Sequence, residues 1–289
     1  MRKLKIFLEM IKFEHTLFAL PFAYMGAVLA SVYVLDRLPS WGELGWITLA
    51  MVGARTAAMG LNRVIDRTID AKNPRTANRA IPAGLISSLE AWLFIAISFG
   101  LLFLATSNLD PLSMKLLPVV VILLVGYSYT KRFTWACHII LGLTIGLAPL
   151  GAWVAVTGQI DLTAIIFYLS VALWTAGFDI LYACQDMEYD RKEGLYSIPS
   201  RFGISQALWI ARAFHMATAG GLFSLIWLAN LSWYYIAGIV IAYIILIYEH
   251  RLVSPIDLTR LNTAFFTMNG VLSIVLSVFT IVDLVVRYG

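Results

Sequence analysis

Long apolar runs separated by short polar segments repeat along the whole chain. A helix needs about 20 mainly apolar residues to cross the hydrocarbon core of a bilayer, and these runs reach that length repeatedly. The polar breaks, such as 108–111 and 158–161, contain the Gly, Pro, Asn and Asp residues that are typical of turns. The pattern predicts an all-α membrane protein with a single domain over residues 1–289. Its nine transmembrane helices are expected at roughly 15–35, 43–63, 90–107, 113–130, 135–157, 162–184, 206–229, 232–250 and 262–286.

The composition agrees with this interpretation. Of the 289 residues, 60% are hydrophobic and only 13% are charged, whereas a soluble domain has about 25% charged residues. The net charge of +4 does not indicate nucleic-acid binding, because the Lys and Arg residues lie in short segments between apolar runs. The first apolar run is too long for the core of a signal peptide, so it is predicted to be a retained span.

The positive charge is concentrated on one side of the predicted membrane topology. Sixteen of the 21 Lys and Arg residues lie at the N-terminus and in segments 63–80, 131–134, 185–205 and 249–261. The positive-inside rule then places these segments and the N-terminus in the cytoplasm. We therefore expect a multi-pass protein of the cytoplasmic or inner membrane whose functional side faces the cytoplasm.

Two of these cytoplasmic segments, 63–89 and 185–205, are longer and more polar than the others. Long segments in a protein with otherwise short loops usually carry function. Around the first segment, Asn62, Asp66 and Asp70 follow the spacing i, i+4, i+8. On a helix these three side chains form one stripe of oxygen donors.

A second acidic set leads into the other polar segment. Asp179, Asp186 and Asp190 follow the spacing i, i+7, i+11, which predicts that they share one face of a helix. Asp179 is expected within or just below the membrane surface, where a carboxylate costs about 2.5–3.5 kcal/mol on insertion scales. A residue kept at that cost suggests a function.

Carboxylate and amide oxygens are the hard ligands that Mg²⁺ prefers, together with substrate phosphates. Two facing clusters are therefore predicted to hold a metal-bound diphosphate. The alternative is a purely structural role, in which the Asp residues cap solvated helix ends. The predicted metal ligands are Asn62, Asp66, Asp70, Asp179, Asp186 and Asp190. Of these, the predicted catalytic carboxylates are Asp66, Asp70, Asp186 and Asp190.

Basic residues accompany both clusters. Guanidinium forks suit phosphate oxygens, and lysine supplies a compact positive charge. The alternative is that these cations only set the membrane topology. The predicted diphosphate-binding residues are Arg75, Arg79, Lys131 and Arg132, with Tyr127 one helical turn before Lys131.

Arg55 lies inside the second span, two helical turns before Asn62 and on the same face. An arginine within the membrane is a functional hypothesis by default. We expect Arg55 to anchor an anionic group below the diphosphate, most simply an aromatic carboxylate. A structural ion pair is the alternative.

Other polar side chains receive no firm assignment. Glu14 and His15 open the first span, where substrate contact and an interfacial capping role are equally compatible with their position. His138, His215 and His250 show no metal-ligand spacing.

Several of these stretches together resemble the UbiA superfamily of membrane aromatic prenyltransferases over nearly the whole chain. The stretch Arg-Thr-Ala-Asn-Arg at 75–79, Pro-Ala-Gly at 82–84, and Tyr127 with Lys131 and Arg132 are similar to those of 4-hydroxybenzoate polyprenyltransferases. The resemblance implies a UbiA-type bundle and Mg²⁺-dependent transfer of a polyprenyl group from polyprenyl diphosphate to a small aromatic acid. It also implies a place in ubiquinone or menaquinone biosynthesis.

One position departs from the usual motif, because Arg63 follows Asn62 where the superfamily has Asp. Segments 62–76 and 194–199 are more similar to the branch linked to menaquinone made through futalosine, whose acceptor is a dihydroxynaphthoate. Both aromatic acceptors carry a ring hydroxyl and a carboxylate, so the acceptor stays open.

Two rival interpretations of the acidic segments are a transporter and a prenyltransferase with a different acceptor. A cation-coupled transporter would place its carboxylates near the bilayer midplane on broken helices, whereas these are predicted at one membrane surface. A prenyltransferase with another acceptor, such as haem, a chlorophyll precursor or an isoprenoid lipid glycerol, would keep the same acidic segments. Prenyl chain length and oligomeric state are not determined by these patterns.

Overall fold

The computed structural model describes residues 2–11 and 16–288, and this part of the chain forms helices and no strands. One isolated antiparallel bridge joins Ser254 and Asp257. A 3₁₀ turn covers Cys184–Asp186, and a π-helical turn covers Thr263–Met268. The α-helices are α1 (Arg2–Met10), α2 (Thr16–Leu35), α3 (Trp41–Ile65), α4 (Arg67–Lys72), α5 (Ser88–Thr106), α6 (Pro111–Thr130), α7 (Cys137–Thr157), α8 (Leu162–Ala183), α9 (Met187–Glu193), α10 (Ile198–Phe202), α11 (Ile204–Leu228), α12 (Trp233–Arg251) and α13 (Asn269–Tyr288).

Seven helical segments among the described residues are long and apolar enough to cross a membrane. They are Trp41–Ile65, Ser88–Thr106, Pro111–Thr130, Cys137–Thr157, Leu162–Glu193, Trp233–Arg251 and Thr263–Arg287. The apolar stretch Ala19–Leu35 of α2 is shorter, and α11 is not among the seven. The all-helical membrane class is therefore confirmed, while nine spans and a cytoplasmic N-terminus stay predictions.

Local capping explains why several helices begin where the polar breaks end. Ser40 and Glu43 form a reciprocal capping box at the start of α3, and Ser87 and Glu90 form another at α5. The Asp161 side chain accepts the backbone N–H of Ala164 at the start of α8. Each cap satisfies backbone donors that the first helical turn leaves without partners.

The outer surface of the bundle is apolar, as a lipid-facing surface requires. Ile122 on α6 and Met216 on α11 are 68% and 74% exposed in the isolated chain. Trp41 and Trp233, the first residues of α3 and α12, are 88% and 80% exposed. Tryptophan at helix ends is typical of the level of the lipid headgroups.

The most extensive helix packing joins α7 to α8, α3 to α5, α11 to α8 and α2 to α7. Small residues allow the closest of these approaches, because membrane helices pack tightly where Gly and Ala face each other. Gly142 of α7 lies against the backbone of Ala172 in α8, and a Cβ atom there would overlap the Ala172 carbonyl oxygen.

Gly142→Ala is therefore expected to destabilise the protein by about 1–3 kcal/mol, the usual effect of overpacking a close contact. The matched control is Gly126→Ala in α6, where a Cβ atom would meet nothing within 4 Å. The thermal unfolding midpoint of the detergent-solubilised variants measures the difference. Equal midpoints for the two variants would contradict the assigned α7–α8 contact.

Candidate active site

The first acidic segment keeps its helical register although the helix is interrupted. Helix α3 ends at Ile65, and α4 begins at Arg67. The Asp66 N–H still donates to the Asn62 carbonyl at 2.9 Å, and the Asp70 N–H donates to the Asp66 carbonyl at 2.8 Å. The Asn62 side-chain amide also donates to Asp66 Oδ2 at 3.0 Å. Neighbouring members of the predicted stripe are therefore linked through backbone or side-chain bonds.

The second acidic segment is interrupted, so the predicted α-helix that would carry Asp179, Asp186 and Asp190 on one face is not continuous. Helix α8 ends at Ala183, a 3₁₀ turn covers Cys184–Asp186, and α9 begins at Met187. A 3₁₀ helix has about 3.0 residues per turn instead of 3.6, which rotates the residues that follow. Asp186 and Asp190 therefore do not continue the α-helical register of Asp179.

Direct contacts bring the two acidic segments together. The Arg75 guanidinium donates to both oxygens of Asp186, at 2.9 Å from Nε and 2.6 Å from Nη2. The Tyr189 hydroxyl donates to the Ile69 carbonyl at 2.8 Å. These contacts join residues far apart in the sequence, and they fix one segment against the other.

A pocket of about 160 Å³, here called the acidic pocket, lies between the two segments. Four carboxylates line it, namely Asp66, Asp70, Asp186 and Asp190, together with the Asn62 and Asn73 amides. Asp179 is not among its lining residues and lies instead at a neighbouring cavity. Four of the five predicted acidic residues thus share one site.

Basic side chains form ion pairs with carboxylates of this pocket. Lys131 Nζ lies 2.5 Å from Asp66 Oδ2, and Arg132 Nη2 lies 2.9 Å from Asp66 Oδ1. Arg79 Nη1 lies 2.7 Å from Asp70 Oδ1. With the Arg75–Asp186 pair, three of the four carboxylates are neutralised by cations, which removes the cost of burying their charges alone.

The chemistry of the donor set fits a hard divalent cation, since carboxylate and amide oxygens surround one small pocket. Within residues 2–11 and 16–288, no group of three or more His, Cys, Asp or Glu side chains is arranged closely enough to hold a metal ion. In this arrangement Arg75, Arg79 and Lys131 pair with carboxylate oxygens that a metal ion would need.

A larger cavity of about 740 Å³, here called the main cavity, adjoins the acidic pocket. The two share the side chains of Asn62, Arg63, Arg75 and Arg79. Arg63, which replaces the usual motif Asp, donates to Asn62 Oδ1 at 3.2 Å and to the Met10 carbonyl at 3.4 Å. A strongly basic wall therefore separates the acidic pocket from the main cavity.

Arg55 lines the main cavity deeper in the membrane. Its Nε atom is buried and has no hydrogen-bond partner among the described residues, and no carboxylate pairs with its guanidinium there. Tyr127 lines the same cavity and donates its hydroxyl to the Ala58 carbonyl at 3.1 Å. Tyr127 therefore lies with Arg55 rather than in the acidic pocket.

A third space of about 320 Å³, here called the apolar pocket, continues from Arg55 and Tyr127 between α3, α6 and α7. Its walls are almost entirely aliphatic, and it reaches Ser113 near the start of α6 and Ile160 just before α8. Those positions lie at the helix ends opposite to the acidic pocket. The three spaces thus change from charged to apolar along the direction of the helices.

Asp179 has a partner that the sequence analysis did not identify. His138 Nδ1 lies 2.6 Å from Asp179 Oδ2, and the Ile198 N–H donates to His138 Nε2 at 3.2 Å. The sequence could have indicated this pair, because α7 and α8 form an antiparallel hairpin around the 158–161 turn. Positions 138 and 179 lie at similar distances along the chain from that turn, so they fall side by side.

An aromatic wall on α8 and the π-helical turn also escaped the sequence analysis. Phe265 packs against Tyr182, with ring centroids 4.2 Å apart, and Phe266 lines the main cavity beside them. The Asn269 side chain donates to the Ala264 and Phe265 carbonyls, which the π turn leaves without regular α-helical partners. Nothing in the hydrophobic pattern distinguishes this turn from ordinary helix.

Arg132 has mainly structural contacts in addition to its bond with Asp66. It donates to the Ser128 carbonyl at 2.9 Å and to the Ile65 carbonyl at 3.0 Å, which fastens the end of α6 to the end of α3. It does not line the acidic pocket or the main cavity. Glu14 and His15 lie outside the described residues.

Similar proteins share this arrangement of helices. A solved UbiA homolog from Aeropyrum pernix K1 has 30% sequence identity and a TM-score of 0.84, covering 93% of this chain and 98% of that one. A UbiA homolog from Archaeoglobus fulgidus, solved with GPP and Mg²⁺, has 19% identity and a TM-score of 0.72, covering 97% of this chain and 99% of that one.

Curated relatives carry one recurrent name. The 4-hydroxybenzoate octaprenyltransferase of Aliivibrio fischeri strain MJ11 is 35% identical over 168 residues, 58% of each chain. That of Vibrio parahaemolyticus is 30% identical over 247 residues, 84% of this chain and 86% of the relative. The matched region covers 58% to 65% of the length of several relatives.

The family profile described as the UbiA prenyltransferase family matches residues 19–271, which include both acidic segments and the lining residues of the acidic and apolar pockets. Together with the structural similarity at 30% identity, this match covers most of the chain. The protein therefore belongs to the UbiA prenyltransferase family.

Proposed function

We propose that this protein transfers a polyprenyl group from polyprenyl diphosphate to a small aromatic acid. The observation that carries the proposal is the junction of the acidic pocket with the main cavity, where Arg55 lies at greater depth and its buried Nε has no hydrogen-bond partner among the described residues. A diphosphate and a carboxylate are both anions, and each would meet a separate group of cations. The two substrates can thus bind at opposite ends of the same cavity.

The acceptor is an aromatic acid of quinone biosynthesis, either 4-hydroxybenzoate or 1,4-dihydroxy-6-naphthoate. The names of the curated relatives support the first, and they act on 4-hydroxybenzoate according to those names. Arg55 suits both, because each acid carries a carboxylate that a guanidinium binds through paired hydrogen bonds. The aromatic side chains of the main cavity, such as Trp174 and Phe178, would pack against the ring.

The diphosphate would bind at the basic wall between the acidic pocket and the main cavity. Arg75 and Arg79 line both spaces, and Lys131 lines the acidic pocket. Each is paired with a carboxylate, and each could exchange that partner for phosphate oxygens. The contacts of Arg132 and the depth of Tyr127 favour supporting roles for those two residues.

The residues around the acidic pocket fit Mg²⁺. Asp66, Asp70, Asp186 and Asp190 would hold it, with the Asn62 amide as a further ligand. We leave Asp179 out of this set, because it lies at the main cavity and bonds to His138. Bound Mg²⁺ would neutralise charge that develops on the departing diphosphate. The Mg²⁺ in the Archaeoglobus fulgidus homolog supports the assignment.

The apolar pocket would receive the prenyl chain. Its aliphatic walls bury apolar surface and exclude water from the reacting carbon. Exclusion of water matters because the proposed reaction passes through an allylic cation, which water would quench. The electron-rich ring, held by Arg55, would attack that cation instead.

The reaction is proposed to occur at the cytoplasmic face of the cell membrane. The acidic pocket lies at the same helix ends as the Lys and Arg cluster, and the positive-inside rule places that cluster in the cytoplasm. Sealed inverted membrane vesicles should therefore prenylate added acceptor from a membrane-impermeant short prenyl diphosphate. Right-side-out vesicles should do so only after permeabilisation, and the reverse preference would refute this orientation.

The function is tested with purified protein in lipid, incubated with Mg²⁺, a polyprenyl diphosphate and each aromatic acid separately. Extraction and mass spectrometry should detect a product equal in mass to the acid plus one polyprenyl group. Reactions without the acid, or with EDTA, are the controls and should give none. Absence of product with both acids, under conditions where the protein stays folded, would refute the proposal.

A further inference from the structure

We propose that Asp179 is the base that removes the ring proton of the aromatic acceptor, and that His138 is the residue that positions it. The proposal rests on the proposed function. It assigns a separate role to a carboxylate that lies outside the acidic pocket. The inference comes from the hydrogen-bonding arrangement around His138 and from the place of Asp179 in the main cavity.

The contacts of His138 determine its tautomer. The Ile198 N–H, at the first position of α10, donates to His138 Nε2 at 3.2 Å, so Nε2 carries no proton. The proton of the neutral imidazole is therefore on Nδ1, which lies 2.6 Å from Asp179 Oδ2 and donates to it. His138 is 4% exposed, and the surrounding helices hold its ring in place. One oxygen of Asp179 is thereby fixed by a buried donor.

The other oxygen of Asp179 stays available. Asp179 Oδ1 has no hydrogen-bond partner among the described residues, and the side chain is 22% exposed where it lines the main cavity. Among the described residues, Glu9 is the other carboxylate lining this cavity, but its side chain is 65% exposed and lies near Lys5. Asp179 is therefore the sheltered carboxylate in the space assigned to the aromatic ring, together with Arg55.

The reaction needs such a base. In the substitution, the ring carbon forms a bond to C1 of the prenyl group, and the C1–O bond breaks with its electron pair leaving on the diphosphate. The ring then loses the hydrogen from the attacked carbon. The electrons of that C–H bond restore aromaticity, and the proton goes to the Asp179 carboxylate. Charge and atoms balance without another reactant.

The acidic pocket offers no equally suitable proton acceptor. Asp66, Asp70 and Asp186 are each held by a cation. Asp190 accepts a hydrogen bond from Ser197 at 2.8 Å and lines the pocket assigned to the diphosphate. The 3₁₀ turn separates Asp179 from that group along the chain. The acidic pocket can therefore bind the diphosphate while Asp179 accepts the ring proton.

The first test compares wild-type protein with Asp179→Asn, using acceptor deuterated on the ring. We expect kcat to fall by about 10²–10⁴-fold, the usual contribution of a positioned base. The KM for polyprenyl diphosphate should stay within about threefold of wild type, because Asp179 lies outside the pocket assigned to the diphosphate. The deuterium isotope effect on kcat should increase, because proton removal then limits turnover. Wild-type activity, or an unchanged isotope effect, would overturn the proposal.

The second test addresses the positioning role of His138. A glutamine side chain can donate to Asp179 and accept from the Ile198 N–H, whereas leucine can do neither. His138→Gln should therefore retain most of kcat, and His138→Leu should lose it together with an increased isotope effect. Equal isotope effects in the two variants would overturn the assigned role. This pair also carries the test if Asp179→Asn fails to fold, because both variants retain the carboxylate.

The outcomes separate this inference from the proposed function. If wild-type protein makes no prenylated aromatic acid, the proposed function itself fails. If wild-type protein is active and Asp179→Asn retains its rate and isotope effect, only the assignment of the base fails. Release of diphosphate by Asp179→Asn, measured in the same reactions, reports whether cleavage of the C1–O bond still occurs.

Discussion

Replacing Asp66 or Asp186 with alanine is expected to abolish prenyl transfer, with a loss of at least about 10³-fold in turnover. Both carboxylates line the acidic pocket, where they would hold Mg²⁺ and orient the cations that meet the diphosphate. Loss of either removes oxygen ligands and frees Lys131 or Arg75 from its partner. Product formation by purified protein at several Mg²⁺ concentrations measures the effect.

Alanine at position 66 has a second consequence that must be separated from catalysis. Asp66 is 1% exposed and pairs with both Lys131 and Arg132. Removing one partner of a buried ion pair typically costs about 3–5 kcal/mol in stability. Asp66→Asn and Asp186→Asn keep the side-chain volume, so they are the better variants. Their thermal midpoints show how much activity is lost through unfolding.

Glu188→Gln provides the matched control, because Glu188 lies in α9 between Asp186 and Asp190 but is exposed and does not line the acidic pocket. We expect this variant to keep near wild-type turnover and Mg²⁺ dependence. Substantial turnover in folded Asp66→Asn or Asp186→Asn would mean that the acidic pocket is not the metal site.

Replacing Arg55 with alanine is expected to raise the KM for the aromatic acid by about 10- to 150-fold, with a much smaller change for polyprenyl diphosphate. A hydrogen bond to a charged group contributes about 1.5–3 kcal/mol, and each 1.4 kcal/mol corresponds to about tenfold in affinity. The buried Nε of Arg55 has no hydrogen-bond partner among the described residues, so it is available to a bound acid. Steady-state kinetics with each substrate varied in turn measures the two KM values.

Arg55→Lys is the informative companion variant. It keeps the positive charge at the boundary of the main cavity and the apolar pocket, but it loses the planar fork that binds a carboxylate through two hydrogen bonds. We expect an intermediate KM for the acid. Equal changes in both KM values in Arg55→Ala would exclude a specific role in acceptor binding.

The hydrophobic pattern and the capping residues determined much of the fold, because both act over a few neighbouring residues. The long apolar runs predicted the helical membrane class, and serines such as Ser40 and Ser87 define helix starts through contacts three residues away. The spacing of Asn62, Asp66 and Asp70 indicated their common direction for the same reason. Each of these features depends on local geometry.

Other features depend on how distant helices meet, and only the tertiary structure decided them. The pairing of Arg75 with Asp186 joins residues 111 positions apart, and His138 meets Asp179 across 41 positions. A 3₁₀ turn interrupts the helix before α9, and Asp186 and Asp190 line a different space from Asp179, although the spacing alone predicted a common face. Helix periodicity gives the direction of a side chain within one helix, but its partner depends on the rotation and depth of the neighbouring helix. For this reason the sequence determined that acidic and basic residues gather at one membrane surface, and the packing of the helices decided which of them pair and which face an open cavity.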